Sequence, residues 1–464
     1  MIPDARHRWF SVPVEVKGIP VRAEFVPVSL HIDFGAILDR LGERGTVDER
    51  TLRLCRIEPD GSEIEEPVQF SPDLQSRHPE RHLHPGTPAN VSWAGDWSAD
   101  ETPSSLRVTG TLTWIARGAP NGVRQYRLLF GVPCDGIIVQ VPFPPNNFRH
   151  FDAEGRPTPV RWFPRMQIRP QWPLEGVIHI LRDEAILTSY HIGPRDGAAS
   201  AARRPYFYPV NSPDGISLTE LGKPHDPTGS HAHHYSLWIA HANVGGSDFW
   251  SERGGLICHE QFELMEDGPI FARLIQRARW LVRDEARLRE RRQLTFYATP
   301  ESFRLMDVEL ELSPGGSAPV ELGKTPFGFL AARVAQSVTV FDGGGEIVNA
   351  LGQRNEQGAH WQRAPWIDQS GPIAPEKWGG IALFDCPDNP GYPTAWHCRN
   401  DGWAGAAFNL DRPWAIEPDS SLRLRYRVHL HRHDATAGEV ARRYEEYICK
   451  PTVQLGTPQS LRTG

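Results

Sequence analysis

The stretch "IFARLIQRARWLVRDEARLRER", residues 270–291, decides how this chain is read. Its Arg, Leu, Ala and Glu content favours a helix by propensity. Its period does not. Ala272, Leu274, Ala278, Trp280 and Val282 share one parity, while Arg273, Arg277, Arg279 and Arg283 occupy the other. Alternation of this kind puts apolar side chains on one face of a strand. Two strands joined by a turn near Asp284 are therefore predicted, which excludes a helix-rich architecture.

The same alternation recurs on both sides. In "SLRLRYRVHLHRH", Leu422, Leu424, Tyr426, Val428 and Leu430 alternate with Arg423, Arg425, Arg427, His429 and His431, giving a strand with one buried and one wet face. His433 continues that solvated edge. Residues 9–30 and the runs "TLRLCRI", "LRVTGTLTWIA" and "RQYRLLFGV" carry strand chemistry up to about residue 132. "FGAILDRLGERG" reads as one short helix ended by Gly42. In "TAGEVARRYEEYI", Thr436 and Glu439 form a capping box ahead of Val440, Tyr444, Tyr447 and Ile448 at helical spacing. The expected fold is mostly β: an N-terminal accessory β-sandwich over 1–165, and a larger antiparallel sandwich over 166–452 with a C-terminal helix. The Pro-rich passage 141–165 is read as the connection between them.

Composition narrows the function. A chain of 464 residues with net charge −7 has no basic footprint for nucleic acid. No apolar run approaches the roughly eighteen residues of a membrane span, and the N-terminus lacks a secretory pattern, so a cytoplasmic protein is expected. Cys55, Cys134, Cys258, Cys386, Cys398 and Cys449 have no finger-like spacing and read as reduced thiols. The 15 Trp add rings suited to planar or sugar-like surfaces. "FDGGGEIVN" lacks the Lys of a phosphate loop, and no G-x-S-x-G or H-E-x-x-H occurs.

Three windows hold the candidate chemistry. "GSHAHHYSLWIAHANVGGSDFW" (229–250) contains His231, His233, His234 and His241. Read as a strand, it places His231, His233 and His241 on one face and His234 with Ser236 and Trp238 on the other. The H-x-H pair His231/His233 could hold a divalent metal if Asp248, His259 or His397 supplied a further ligand; otherwise these are hydrogen-bonded pocket histidines without a cofactor. "GGIALFDCPDNPGYPTAWHCRNDGW" (379–403) offers Asp388, Asn389, Trp396, His397, Arg399, Asp401 and Trp403, with His397 and Arg399 on one strand face. "RRPYFYPVNSPDG" (203–215) adds Arg204, Tyr206 and Tyr208.

Together, "RPYFYPV", "HAHHYSLWIAHANVGGSDFW", "WIDQSGP" and "GIALFDCPDNPGYPTAWHCRNDG" resemble, in order and spacing, the family labelled PmoA-like, over roughly residues 200–432. The pattern differs at Ser230 (usually Asp), Ala232 (Pro), Tyr235 (Arg), Gly245 (Asn) and Cys386 (His), so the resemblance implies a divergent member. It also implies a β-rich protein of bacterial glycan breakdown, with a galactose-mutarotase-like supersandwich and a carbohydrate substrate.

On this reading His231, His233, His234 and His397 supply general acid/base groups. Arg399 and Arg204 hold a uronate carboxylate or an oxyanion. Tyr206, Trp238, Asp248, Trp250, His259, Asp388, Asn389 and Trp396 line the substrate site. Lyase or epimerase-like proton abstraction is favoured slightly over hydrolysis, for which Asp248, Glu260, Asp368 and Asp388 would be the carboxylates. The alternatives are a glycan-binding protein without turnover and a metal-dependent enzyme. Oligomeric state is not legible in the sequence.

Overall fold

The computed structural model describes residues 6–73, 108–134, 166–171, 176–194, 202–223, 228–229 and 231–461. The passage 141–165 and Ser230 lie outside them. The chain divides into two compact units, one made of Met1–Pro164, Gly268–Ile270 and Cys449–Gly464, the other of Arg165–Asp267 and Phe271–Ile448.

The first unit is built on a sheet in which His7–Lys17 pairs along its length with Val123–Pro133, followed by Asp48–Ile57 and Glu63–Glu66. The C-terminal strands Thr452–Leu455 and Gln459–Leu461 return to pair with His7–Lys17. A three-stranded sheet joins Val26–Asp33, Thr109–Ala116 and Val68–Pro72. The helix Phe34–Leu41 starts where the Asp33 side chain accepts from Ala36 N at 2.9 Å, and it ends at left-handed Gly42. Phe10, Leu54, Trp114, Leu128 and Phe130 lie in its core.

The second unit carries two eight-stranded antiparallel sheets. One runs Ala395–Arg399, Trp403–Ala407, Gly328–Arg333, Leu237–His241, Tyr206–Val210, Ala185–His191, Val177–Arg182, Met166–Pro170. The other runs Leu256–Glu266, Phe271–Val282, Glu285–Tyr297, Phe303–Pro314, Leu422–Arg432, Lys377–Asp385, Trp366–Ala374, Glu346–Asn349. The expected hairpin is present, with its turn at Arg283 and Asp284, both at positive φ. Leu274, Trp280, Leu294 and Val428 of the second sheet share one core with Phe207, Leu237, Ile239 and Leu330 of the first. Phe207 meets Phe296 at 6.2 Å between ring centroids, edge to face.

Three sequence expectations fail for tertiary reasons. His429 and His431 are not on a wet face, since both are buried. Beyond Arg425 the strand Leu422–Arg432 runs under the helix Val440–Ile448: Arg427 lies 4.7 Å from the Tyr447 ring, and Arg443 lies 4.3 Å from the Phe303 ring, which in turn meets His429. His433 alone of the three is exposed. The capping box does not form either. Glu439 has positive φ and its N–H bonds to the Thr436 carbonyl, so both residues belong to the turn that precedes the helix. Finally, residues 231–233 are a turn rather than a strand, closed by His234 N to His231 O at 2.9 Å, and the strand begins only at Leu237.

Candidate functional site

Alternation on the first sheet builds the site. Leu237, Ile239, Leu330, Ala332, Ala404, Ala406, Trp396 and Cys398 face the shared core. The intervening positions face the other way, and there Trp238, Ala240, Ala331 and Trp403 cluster with Trp250. Small residues at Ala240, Ala331 and Gly405 leave room for large rings on that outer face.

Onto it folds the histidine turn. The His234 ring stacks on Trp238 at 5.2 Å and lies 5.6 Å from Trp403. His231 and His233 meet His234 at 5.1 and 4.6 Å. On the other side of Trp403 is His397, 4.2 Å away, then His360 at 4.8 Å, with Trp361 stacked on His360 at 4.5 Å. The turn, not strand parity, therefore gathers His231, His233 and His234, and Trp403 joins them to His397.

Arg204 holds the turn in place from beneath. It is fully buried and donates to the carbonyls of Phe249, Trp250 and His233 at 2.7, 2.7 and 2.6 Å. Its guanidinium is spent on backbone and does not reach out as the expected anion clamp. Glu252 lies 3.6 Å from it and accepts from Tyr235 Oη at 3.2 Å. Asp248 shapes the same loop by accepting from Trp250 N and Ser251 N at 2.7 and 3.0 Å.

Burial sets the protonation of the histidines. His233 is held at about 4 by burial and by the Arg204 charge, and His397 at about 4 by burial and by His360. His234 is depressed further, by burial and by Arg333, whose Nε donates to its Nδ1 at 2.9 Å. These three are neutral near pH 7, and the Nδ1 of His234 is already occupied by Arg333.

The lip of the site is charged. Asp401 Oδ2 lies 3.5 Å from Lys223 Nζ, 3.6 Å from Arg333 Nη2 and 3.9 Å from His231 Nε2. Lys223, His231 and Asp401 each keep about a quarter to a third of their side chain in solvent. Arg333 is anchored by donation to the Asp401 carbonyl at 2.7 Å. Lys223, Arg333, His360 and Trp361 lie in no motif window, and nothing in their local sequence marks them. Among the described residues, no three His, Cys, Asp or Glu side chains are placed to hold a metal ion.

Other expected site residues are packed within this cluster or bonded away from it. Trp238 and Trp396 are fully enclosed, and Trp396 Nε1 donates to the Ala364 carbonyl at 2.8 Å, so neither presents a ring face to a ligand. Trp250 packs between Trp238 and Trp403, and Tyr206, which stacks on His191 at 4.2 Å, packs against the same cluster. His259 accepts from Gln276 at 2.7 Å on the second sheet. Asn389 bonds Asp385 and the Arg425 backbone, and Asp388 pairs with Arg425 at 3.5 Å. Arg399 shares its strand face with His397 but pairs with Glu356 at 2.9 Å. His241, inside the first window, is buried against Asn409 at 2.9 Å.

Among the described residues no helix is long and apolar enough to cross a membrane. No curated protein matches the chain. Two solved structures from Enterococcus faecalis are similar: a protein in glycosyl hydrolase family 38 (10% identity, TM-score 0.41, covering 96% of this chain and 47% of that one) and an alpha-mannosidase of strain V583 (9%, 0.43, 97% and 46%). A heparinase III is similar at 11% identity and TM-score 0.30, covering 67% of this chain and 43% of its own. The chain thus spans about half the length of the first two structures. The family comparison finds no PmoA-like match and corrects the resemblance read from the motif windows. Over residues 178–445, more than half of its length, the chain belongs to the family of unknown function DUF6807.

Proposed function

We propose that this protein processes an acidic carbohydrate by proton abstraction at the outer-face site. The observation that carries the reading is the Asp401 carboxylate, shared by Lys223, Arg333 and His231 at the solvent-facing end of an aromatic cluster. A half-exposed Trp361, stacked on His360 at 4.5 Å, offers a sugar-sized apolar face at the His397 end of the same ring series.

In that arrangement neutral His233, helped by His231, takes a proton from the carbon next to a uronate carboxylate. The electron pair delocalises onto the carboxylate, where the Lys223 cation offsets the developing charge. In elimination the pair then forms a carbon–carbon double bond as the neighbouring C–O bond breaks, and the His233 imidazolium passes its proton to the departing glycosidic oxygen; in epimerisation a proton from solvent adds to the opposite face and His233 releases its own to solvent. Lys223 replaces Arg204 and Arg399, which are engaged elsewhere, as the anion partner.

Hydrolysis usually needs two opposed carboxylates. Asp248 caps its own loop, Glu260 pairs with Arg279 at 2.7 Å on the second sheet, Asp368 is buried against His431 at 2.7 Å, and Asp388 serves Arg425. Asp401 then stands without an opposed carboxylate from that set, which favours elimination.

Screening the purified protein against uronate-containing and neutral oligosaccharides tests this. The expected result is an ultraviolet-absorbing unsaturated product, or an epimerised sugar, from uronates only. Binding without product would make this a non-catalytic glycan-binding protein, and release of reducing ends from neutral glycans would make it a hydrolase. Failure to bind any glycan overturns the reading.

A further inference from the structure

We infer that the site takes an oligosaccharide several units long, with Trp361 and Phe341 as separate stacking platforms along one sheet edge; this rests on the carbohydrate reading above.

Ala395–Arg399 is the outermost strand of the first sheet. Two loops hydrogen-bond to its two ends. Trp361 N donates to Trp396 O at 2.7 Å, and the following residues continue that pairing through Trp396 N to Gln362 O and Ala364 N to Thr394 O. At the far end, Phe341 N donates to Asn400 O at 3.0 Å. Asn400 ties the intervening helix Asn355–Ala359 to the same place, accepting from Glu356 N and donating to Glu356 Oε2.

Both loops spend their backbone on the strand and leave an aromatic side chain outside. Phe341 is 78% exposed and Trp361 50% exposed. Rings of this size are normally buried, and an apolar face held in water by a hydrogen-bonded loop is a binding feature more than a folding one. The anchors at Trp396 and Asn400 are four residues apart, which on an extended strand is about 13 Å. That separation is longer than one pyranose ring and suits a chain of two to three sugars. His397 lies between the anchors and Asp401 follows Asn400 directly, so the platforms flank the strand that leads into the charged lip. A ligand spanning them would stack its apolar sugar faces on both rings while its charged group meets Lys223.

The experiment uses the full chain and a length series of one uronate oligosaccharide, from disaccharide to hexasaccharide, with KM or Kd measured for each. Affinity is expected to rise with length in the native protein. In Phe341→Ala the advantage of the longest chain over the shortest should fall about tenfold, the effect of one lost ring contact. Trp361→Ala should weaken all lengths, and Trp361→Phe should restore part of the loss. Far-ultraviolet dichroism and melting temperature verify folding, and both rings are exposed enough that neither should change much. Product formation with no length dependence overturns the extended site while leaving the carbohydrate reading intact. No binding at any length overturns both.

Discussion

Arg333 Nε donates to His234 Nδ1 at 2.9 Å, with both side chains enclosed on the outer face of the first sheet. The bond places the His234 proton on Nε2, and the same guanidinium reaches Asp401 through its backbone carbonyl and its carboxylate. One arginine thus sets the histidine tautomer and positions the acidic lip.

Replacing Arg333 by Met should expose the cost of that arrangement. His234 and the Asp401 carbonyl lose their donor together, and a loss of about 3 kcal/mol is expected. Urea denaturation measures it, and a change below about 1 kcal/mol would show that the guanidinium is not holding the turn.

Asp401→Asn should separate chemistry from stability. The side chain is partly solvated, so melting temperature should move little, while turnover of a uronate substrate falls about tenfold as Lys223 and His231 lose the carboxylate that positions them. Lys223→Met should raise KM for uronates and leave neutral sugars as they were. Equal effects on both substrate classes would remove Lys223 from carboxylate recognition.

Acid should destabilise the fold. Burial lowers His241 and His397 from the ordinary 6.5 to about 4. Below pH 6.5 the unfolded chain takes up protons that the folded chain does not. Stability is therefore complete above that value and is lost progressively down to about pH 4, by up to about 3 kcal/mol for fully buried His241. His431, raised by Asp368 against the opposing effect of burial, works in the other direction: its contribution is present at low pH and fades as pH rises. Calorimetric melting near pH 7.5 and near pH 4.5 checks the balance; a flat profile would contradict it.

Asn389→Ala should destabilise the second unit without altering ligand binding. Its amide donates to Asp385 and to Arg425 O, and its carbonyl accepts from Arg425 N, each at 2.7 Å. Removing all three should cost about 2–4 kcal/mol by denaturant titration.

Gly438→Ala tests the cover over the buried histidines. A Cβ at 438 would overlap His431 Nδ1. Overpacking of about 1–3 kcal/mol is expected, read as a lower melting temperature. A neutral outcome would mean that the turn before the helix can shift.

The β architecture was legible because period-two alternation is a local property. Residues 270–291 carry it at Ala272, Leu274, Ala278, Trp280 and Val282 against four arginines, and 422–430 carry it in full, so no distant contact was needed to read them. Histidine density at 231–241 and the "TAWHCR" strand are local features too, but parity assigned the faces of the first wrongly, because residues 231–233 form a turn. A short polar run such as "HAHH" has no alternation of its own, and the buried Arg204, bonded to the backbone on either side, makes it a turn.

What the sequence alone determined is the class of fold. Tertiary structure decided which residues act together. His429 and His431 left the wet face because the helix Val440–Ile448 covers it, while Arg333 and Asp401 met Lys223 and His231 because sheet order joins segments more than a hundred residues apart. Strand periodicity depends on neighbours two positions away, whereas ionic and hydrogen-bond partners depend on which strands lie side by side, and no local pattern encodes that.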